Sequence, residues 1–171
     1  MDIKKFVWGY LNTGGHGSQD PEYSQQIMVT NLFGFIGYFT CFTLGLSALW
    51  RSDWPLATVL LVAGGIFFSS NFILRSSTLA SPYKFASTLV TLSLMLLMVY
   101  LIFTGGVKGT GPLWIYIVPP MTLFFGGLRN GLSSLGIFVL VISILLFYPD
   151  DKLLGTSYTY EFKSRLLYSF L

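Results

Sequence analysis

Ile27–Trp50 reads IMVTNLFGFIGYFTCFTLGLSALW, a stretch without a single charged side chain that is closed by Trp50 and Arg51. About 20 consecutive apolar residues cross the hydrocarbon core of a bilayer as a helix, and tryptophan and arginine favour its edges. This stretch is therefore the first membrane span, and the rest of the chain is read outward from it. Arg51, Ser52, Asp53 and Pro55 make a turn into a second span, Trp54–Leu74, with Pro55 in the first helical turn, where its missing N–H costs nothing. A polar connection over residues 75–84 leads to a third apolar run at 85–104, rich in Leu and Met. The composition agrees throughout: of 171 residues, 53% are hydrophobic, 18% aromatic and only 10% charged, with a mean hydropathy of +0.68. Soluble domains carry about 25% charged residues, so this is an integral membrane protein.

The remaining chain is less regular. Gly105-Gly106-Val107-Lys108-Gly109-Thr110-Gly111-Pro112 is too rich in glycine for a regular helix. A short aromatic span is expected at 113–128, kinked or unwound at mid-depth by Pro119 and Pro120. Arg129, Asn130 and Gly131 are read as a tight turn into a fifth span at 131–147, which ends at Tyr148-Pro149-Asp150-Asp151. An apolar run restarts after Arg165 and stops at Leu171, as a sixth helix cut short would. The expected fold is thus all-α, a polytopic membrane helix bundle of five spans plus a sixth, truncated, helix. Its organisation is an amino-terminal segment at 1–26, a five-helix bundle at 27–148, and a polar connection with the start of a sixth helix at 149–171. Within the first segment Ile3, Phe6, Val7, Tyr10 and Leu11 recur at helical spacing beside Lys4 and Lys5, the pattern of an interfacial helix; a disordered cap is the alternative. No signal-peptide core is present.

Charge sets limits on partners and on topology. Ten Lys+Arg against seven Asp+Glu give a net charge of +3, too small and scattered for a nucleic-acid footprint. Lys4, Lys5, Arg75, Lys84 and Arg129 fall on one side of the expected bundle and Arg51, Lys108 and Lys152 on the other, before Lys163 and Arg165 level the balance. The short loops therefore place the amino terminus in the cytoplasm. The one cysteine, Cys41, builds neither a disulfide nor a thiolate metal site within the chain, and the one histidine, His16, rules out a paired-histidine haem site. No acidic residue falls within a span, so proton relays and cation transport lack their usual markers. The glycine-rich loop lacks the Lys-Ser/Thr ending and preceding strand of a phosphate loop. No catalytic residue, metal ligand or cofactor site is read here.

What remains is a ligand-binding candidate. Gly109, Thr110, Gly111, Trp114, Tyr116, Pro119 and Pro120 border a broken helix, and broken membrane helices are common ligand sites. With Gly126 and Gly127 they are expected to line a cavity at membrane depth. Asn31 and Asn71 are expected at one membrane level, bridging two antiparallel helices as a structural clamp or joining a ligand site. Gly34, Gly37, Gly64 and Gly65 are read as close-packing positions.

Several of these motifs carry a resemblance. Thr104-Gly105-Gly106, Gly109-Thr110-Gly111-Pro112-Leu113-Trp114, Pro119 and Leu128-Arg129-Asn130-Gly131 resemble the amino-terminal multi-helix sensor region of bacterial membrane signalling proteins. The openings Ile27-Met28-Val29-Thr30-Asn31-Leu32 and Tyr160-Glu161-Phe162-Lys163-Ser164-Arg165 extend it over most of the chain. In that family about six helices precede a cytoplasmic GGDEF diguanylate cyclase or a histidine kinase. The resemblance implies a non-enzymatic sensory input unit in the bacterial inner membrane, dimeric, in contact with the bilayer and with a small apolar or amphipathic ligand. It implies that the cue relays through the last helix to cyclic-di-GMP or kinase output outside this chain. A small transporter and a membrane scaffold subunit are the competing readings, and a lipid-directed enzyme a more distant one. A transporter predicts an internal repeat, which the two halves do not show.

Overall fold

The computed structural model describes residues 21–75, 82–147 and 158–170, so the expected interfacial helix at Ile3–Leu11, His16 and the Asp150–Asp151 turn lie outside the described residues. The described chain is helical: α1 (Pro21–Trp50), α2 (Trp54–Arg75), α3 (Pro82–Thr104), a 3-10 turn (Val107–Gly109), a 3-10 helix (Gly111–Ile117), α4 (Val118–Phe147) and α5 (Tyr160–Phe170). The segments long and apolar enough to cross a membrane are Ile27–Trp50, Trp54–Leu74, Pro82–Thr104 and Gly111–Phe147. Among the described residues the fold is therefore an all-α membrane helix bundle with four candidate spans among five α-helices, in place of the expected five spans plus a sixth, truncated, helix. The difference lies in the last long segment. Arg129, Asn130 and Gly131 are helical rather than a turn, and the break in the last long segment stands at Gly127 instead, inside one candidate span, Gly111–Phe147. The last helix, α5, is 11 residues long and is not among the candidate spans.

The fold divides into two compact units between Ser93 and Leu94, within α3. In the first, α1 and α2 form an antiparallel hairpin whose turn is specified residue by residue. Asp53 N–H donates to Ala48 O at 3.0 Å and Ser52 N–H to Leu49 O at 3.0 Å, the pair of bonds that closes a helix around a left-handed residue. That residue is Ser52, at φ 60°. Asp53 then caps α2, its carboxylate accepting from Leu56 N–H at 3.3 Å. Small residues let the two helices approach: a Cβ on Gly34 would stand 3.0 Å from Ser70 Oγ, one on Gly37 2.9 Å from the Phe67 ring, and one on Gly64 3.3 Å from Cys41 Cβ. Close packing through small residues is what drives helix association in lipid, where apolar burial gives no advantage. Gly65, expected in the same role, meets nothing within 4 Å. Ile27, Leu74, Tyr83 and Ala86 close one end of the unit as an apolar cluster.

In the second unit α4 bends sharply. Gly127 has φ 64° and ψ −178°, the one non-helical residue between 118 and 147. Gly131 backs onto Thr122 O and Leu123 Cα, where an added Cβ would come within 2.6 and 2.9 Å. A straight helix would hold such residues roughly 12–14 Å apart at ~1.5 Å per residue. Limbs 118–126 and 128–147 therefore fold against each other at Gly127, in a conformation that only glycine adopts freely.

The expected break at Pro119 and Pro120 moves for an equally local reason. Both prolines sit in the first turn of α4, where no intrahelical donor is required. Their effect falls on the preceding segment. Pro119 has no N–H to give Ile115 O an α-type bond, and Val118 N–H makes the tighter 3-10 bond instead. The prolines thus set the switch from 3-10 to α geometry, and the bend belongs to Gly127.

Candidate functional site

The sequence candidates fall into two groups, one in each unit. In the first, Asn31 and Asn71 are both 3% exposed, and Thr30, Ser70 and Ser87 are buried with them. Asn31 and Ser70–Asn71 lie one helical turn inward from the Ile27–Leu74 cluster, so a polar layer follows an apolar cap. Most of its protons turn to backbone. Ser70 Oγ donates to Phe67 O at 2.7 Å, Ser87 Oγ to Lys84 O at 3.1 Å, and the Asn71 amide to Phe67 O and Phe68 O, both at 3.3 Å. The expected clamp is therefore not made through the Asn71 amide nitrogen, which serves its own helix. Asn71 Oδ1 is left buried without a partner, as is Thr91 Oγ1 on α3.

In the second unit the glycine-rich segment is a closed knot. Gly111 N–H donates to Gly105 O at 2.9 Å, Thr110 N–H and Oγ1 return to Val107 O at 3.1 and 2.7 Å, and Leu113 N–H reaches Thr110 O at 3.1 Å. Gly111 and Pro112 are buried, while Gly109 and Thr110 are exposed. The 3-10 helix displays Trp114 and Tyr116, 42% and 43% exposed, on one side and buries Ile115 on the other. Pro119 is half-buried and Pro120 exposed.

The knot is joined to the last helix. Tyr116 Oη and Ser169 Oγ share a short hydrogen bond, and Tyr158 Oη donates to Ile102 O at 2.9 Å. Tyr158 also stacks on Phe162 at 5.3 Å, and Phe147 meets Tyr160 edge-on at 6.0 Å. Burial at Tyr158 disfavours the phenolate and raises its pKa above the ordinary tyrosine value. Ile115, Val139, Ile142, Leu146, Leu166 and Leu167 line a tight apolar crevice in the same unit, too narrow to enclose a water molecule. None of the nine residues proposed from sequence lines it; Ile115, between two of them, does.

Sequence reasoning did not single out Tyr158, Ser169, Ser70 or the lining leucines. The signal was present for the last helix, where Phe162, Leu166 and Ser169 recur at helical spacing. Among the described residues no cluster of His, Cys, Asp or Glu is placed to hold a metal ion. No family model, curated protein or solved structure matches this chain.

Proposed function

We propose that the chain is a transmembrane sensory input unit, in which a cue changes the packing of the glycine-rich knot and thereby moves α5. The observation that carries this reading is the Tyr116–Ser169 hydrogen bond, which joins the knot to α5. A bistable relay needs an element held by few contacts, so that modest differential binding shifts its population. α5 fits: it is short, has apolar contacts on one face, and is tied by the Tyr116 hydroxyl, while Tyr158, two residues before it, holds Ile102 O. One exposed hydrogen bond contributes about 0.5–1.5 kcal/mol, within reach of a weak ligand. The resemblance to bacterial sensor regions supports the same reading and extends it. On that extension the protein is a dimer in the bacterial inner membrane, amino terminus in the cytoplasm, and its output is a cyclase or kinase outside these 171 residues.

The test appends a dimerisation-dependent reporter after Leu171 and screens apolar and amphipathic compounds in cells. Tyr116→Phe and Trp114→Ala are expected to blunt any response that the wild type shows. Responses of equal size in all three proteins would contradict the relay.

A further inference from the structure

Lys163 is only 9% exposed, yet it forms no ion pair or hydrogen bond through its side chain with any described residue. The one described acidic residue of its unit, Glu161, is exposed and lies two positions away, on another side of the helix. Lys163 precedes Leu166 and Leu167 by three and four residues, which places it on their face of α5. That face lines the apolar crevice with Leu146 and Ile142 of α4. The Phe147–Tyr160 contact brings the end of α4 beside the start of α5, so Lys163 stands at that end of the crevice. The Lys163 side chain is largely covered with no counter-charge among the described residues, and an apolar slot flanked by such a cation is complementary to an acyl chain ending in an anion.

We infer that this crevice binds a single acyl chain with an anionic head, the chain between α4 and α5 and the head on Lys163. The crevice has no room for an enclosed water molecule as it stands. A chain enters only by separating α5 from α4, which gives the ligand different affinities for two positions of α5. The inference rests on the sensory reading for its consequence and names that reading's cue, but binding is tested by itself.

The probes are laurate, dodecanol and phosphatidylglycerol, each titrated against the purified chain in neutral-lipid nanodiscs and read by native mass spectrometry. Laurate is expected to bind one per chain, at least tenfold more tightly than dodecanol. Lys163→Met lowers laurate affinity at least tenfold, Lys163→Arg restores it, and Ile142→Trp, which fills the slot without touching the charge, abolishes it. Phosphatidylglycerol competing with laurate assigns the head to a membrane lipid; no competition assigns it to a free carboxylate. Equal affinity of wild type and Lys163→Met for laurate, or of wild type for laurate and dodecanol, overturns the site. So does loss of the Lys163 effect in Asp150→Asn/Asp151→Asn, which would make those carboxylates the true partners. Laurate that binds as stated while the reporter stays silent sinks the sensory reading and leaves the site standing.

Discussion

Replacing Gly111 by alanine should damage the protein more than any other single methyl added to the glycine-rich knot. A Cβ at this position would stand 2.2 Å from Leu101 O and 2.9 Å from both Gly105 C and Gly105 O. All three are backbone atoms, so no rotamer change relieves the contact, and the chain must shift by about an ångström. Overpacking of this kind costs about 1–3 kcal/mol. The shift also breaks the Gly111 N–H bond to Gly105 O, leaving a buried carbonyl unpaired for about 1–3 kcal/mol more. Gly109→Ala is the internal control, since its Cβ meets nothing within 4 Å and only its φ of 78° is unfavourable, at about 1–2 kcal/mol. Gly65→Ala, in open space on α2, should stabilise by about 0.5–1 kcal/mol. At about 2–4 °C per kcal/mol, melting followed by circular dichroism should fall by roughly 4–24 °C for Gly111→Ala and rise slightly for Gly65→Ala. Gly111→Ala melting at or above Gly109→Ala would refute the knot as described.

Gly127→Ala should cost about 1–3 kcal/mol, because φ 64° with ψ −178° is open almost only to glycine; an unchanged melting temperature would show that α4 does not bend there. Asn71→Leu removes an acceptor that is buried without a donor together with two long amide bonds to Phe67 O and Phe68 O, whose carbonyls lie within α2, so stability should change by no more than about 1–2 kcal/mol; a larger loss would mean that Asn71 Oδ1 is satisfied in the membrane. Tyr158 should make the α5 tether sensitive to alkali. Its folded pKa is raised by burial, so the tether is intact below the ordinary tyrosine value of 10.0 and weakens as pH rises through the higher folded value. Tyrosine absorbance titrated against α5 mobility checks this, and loosening well below pH 10 in the wild type would contradict it.

The first three spans were legible because each is a long uncharged run with polar or proline-marked ends, and Asp53 and Pro55 mark the start of α2 in sequence as they do in space. The last long segment was misread for a definite reason. Arg129-Asn130-Gly131 has turn composition, but local propensity was overridden where Gly131 packs on Thr122, and the irregular backbone passed to Gly127. Pro119 and Pro120 were correctly seen as disruptive and wrongly placed, since proline at a helix start perturbs the turn before it. At the candidate site, Asn31 and Asn71 announced themselves as amides in apolar runs. The bonds to Ser169 and Ile102 span 53 and 56 residues, and no sequence period encodes such pairings.

The central claim is that α5 moves relative to α4 and that the Tyr116–Ser169 bond governs the movement. The most direct measurement is a pulsed electron-resonance distance in nanodiscs. Spin labels replace Ile144 on α4 and Tyr168 on α5, which are 59% and 80% exposed, in a Cys41→Ala background. One narrow distance is expected in the resting protein, with a second, longer one growing on addition of laurate or on Tyr116→Phe. A single distance unaltered by either would contradict the account.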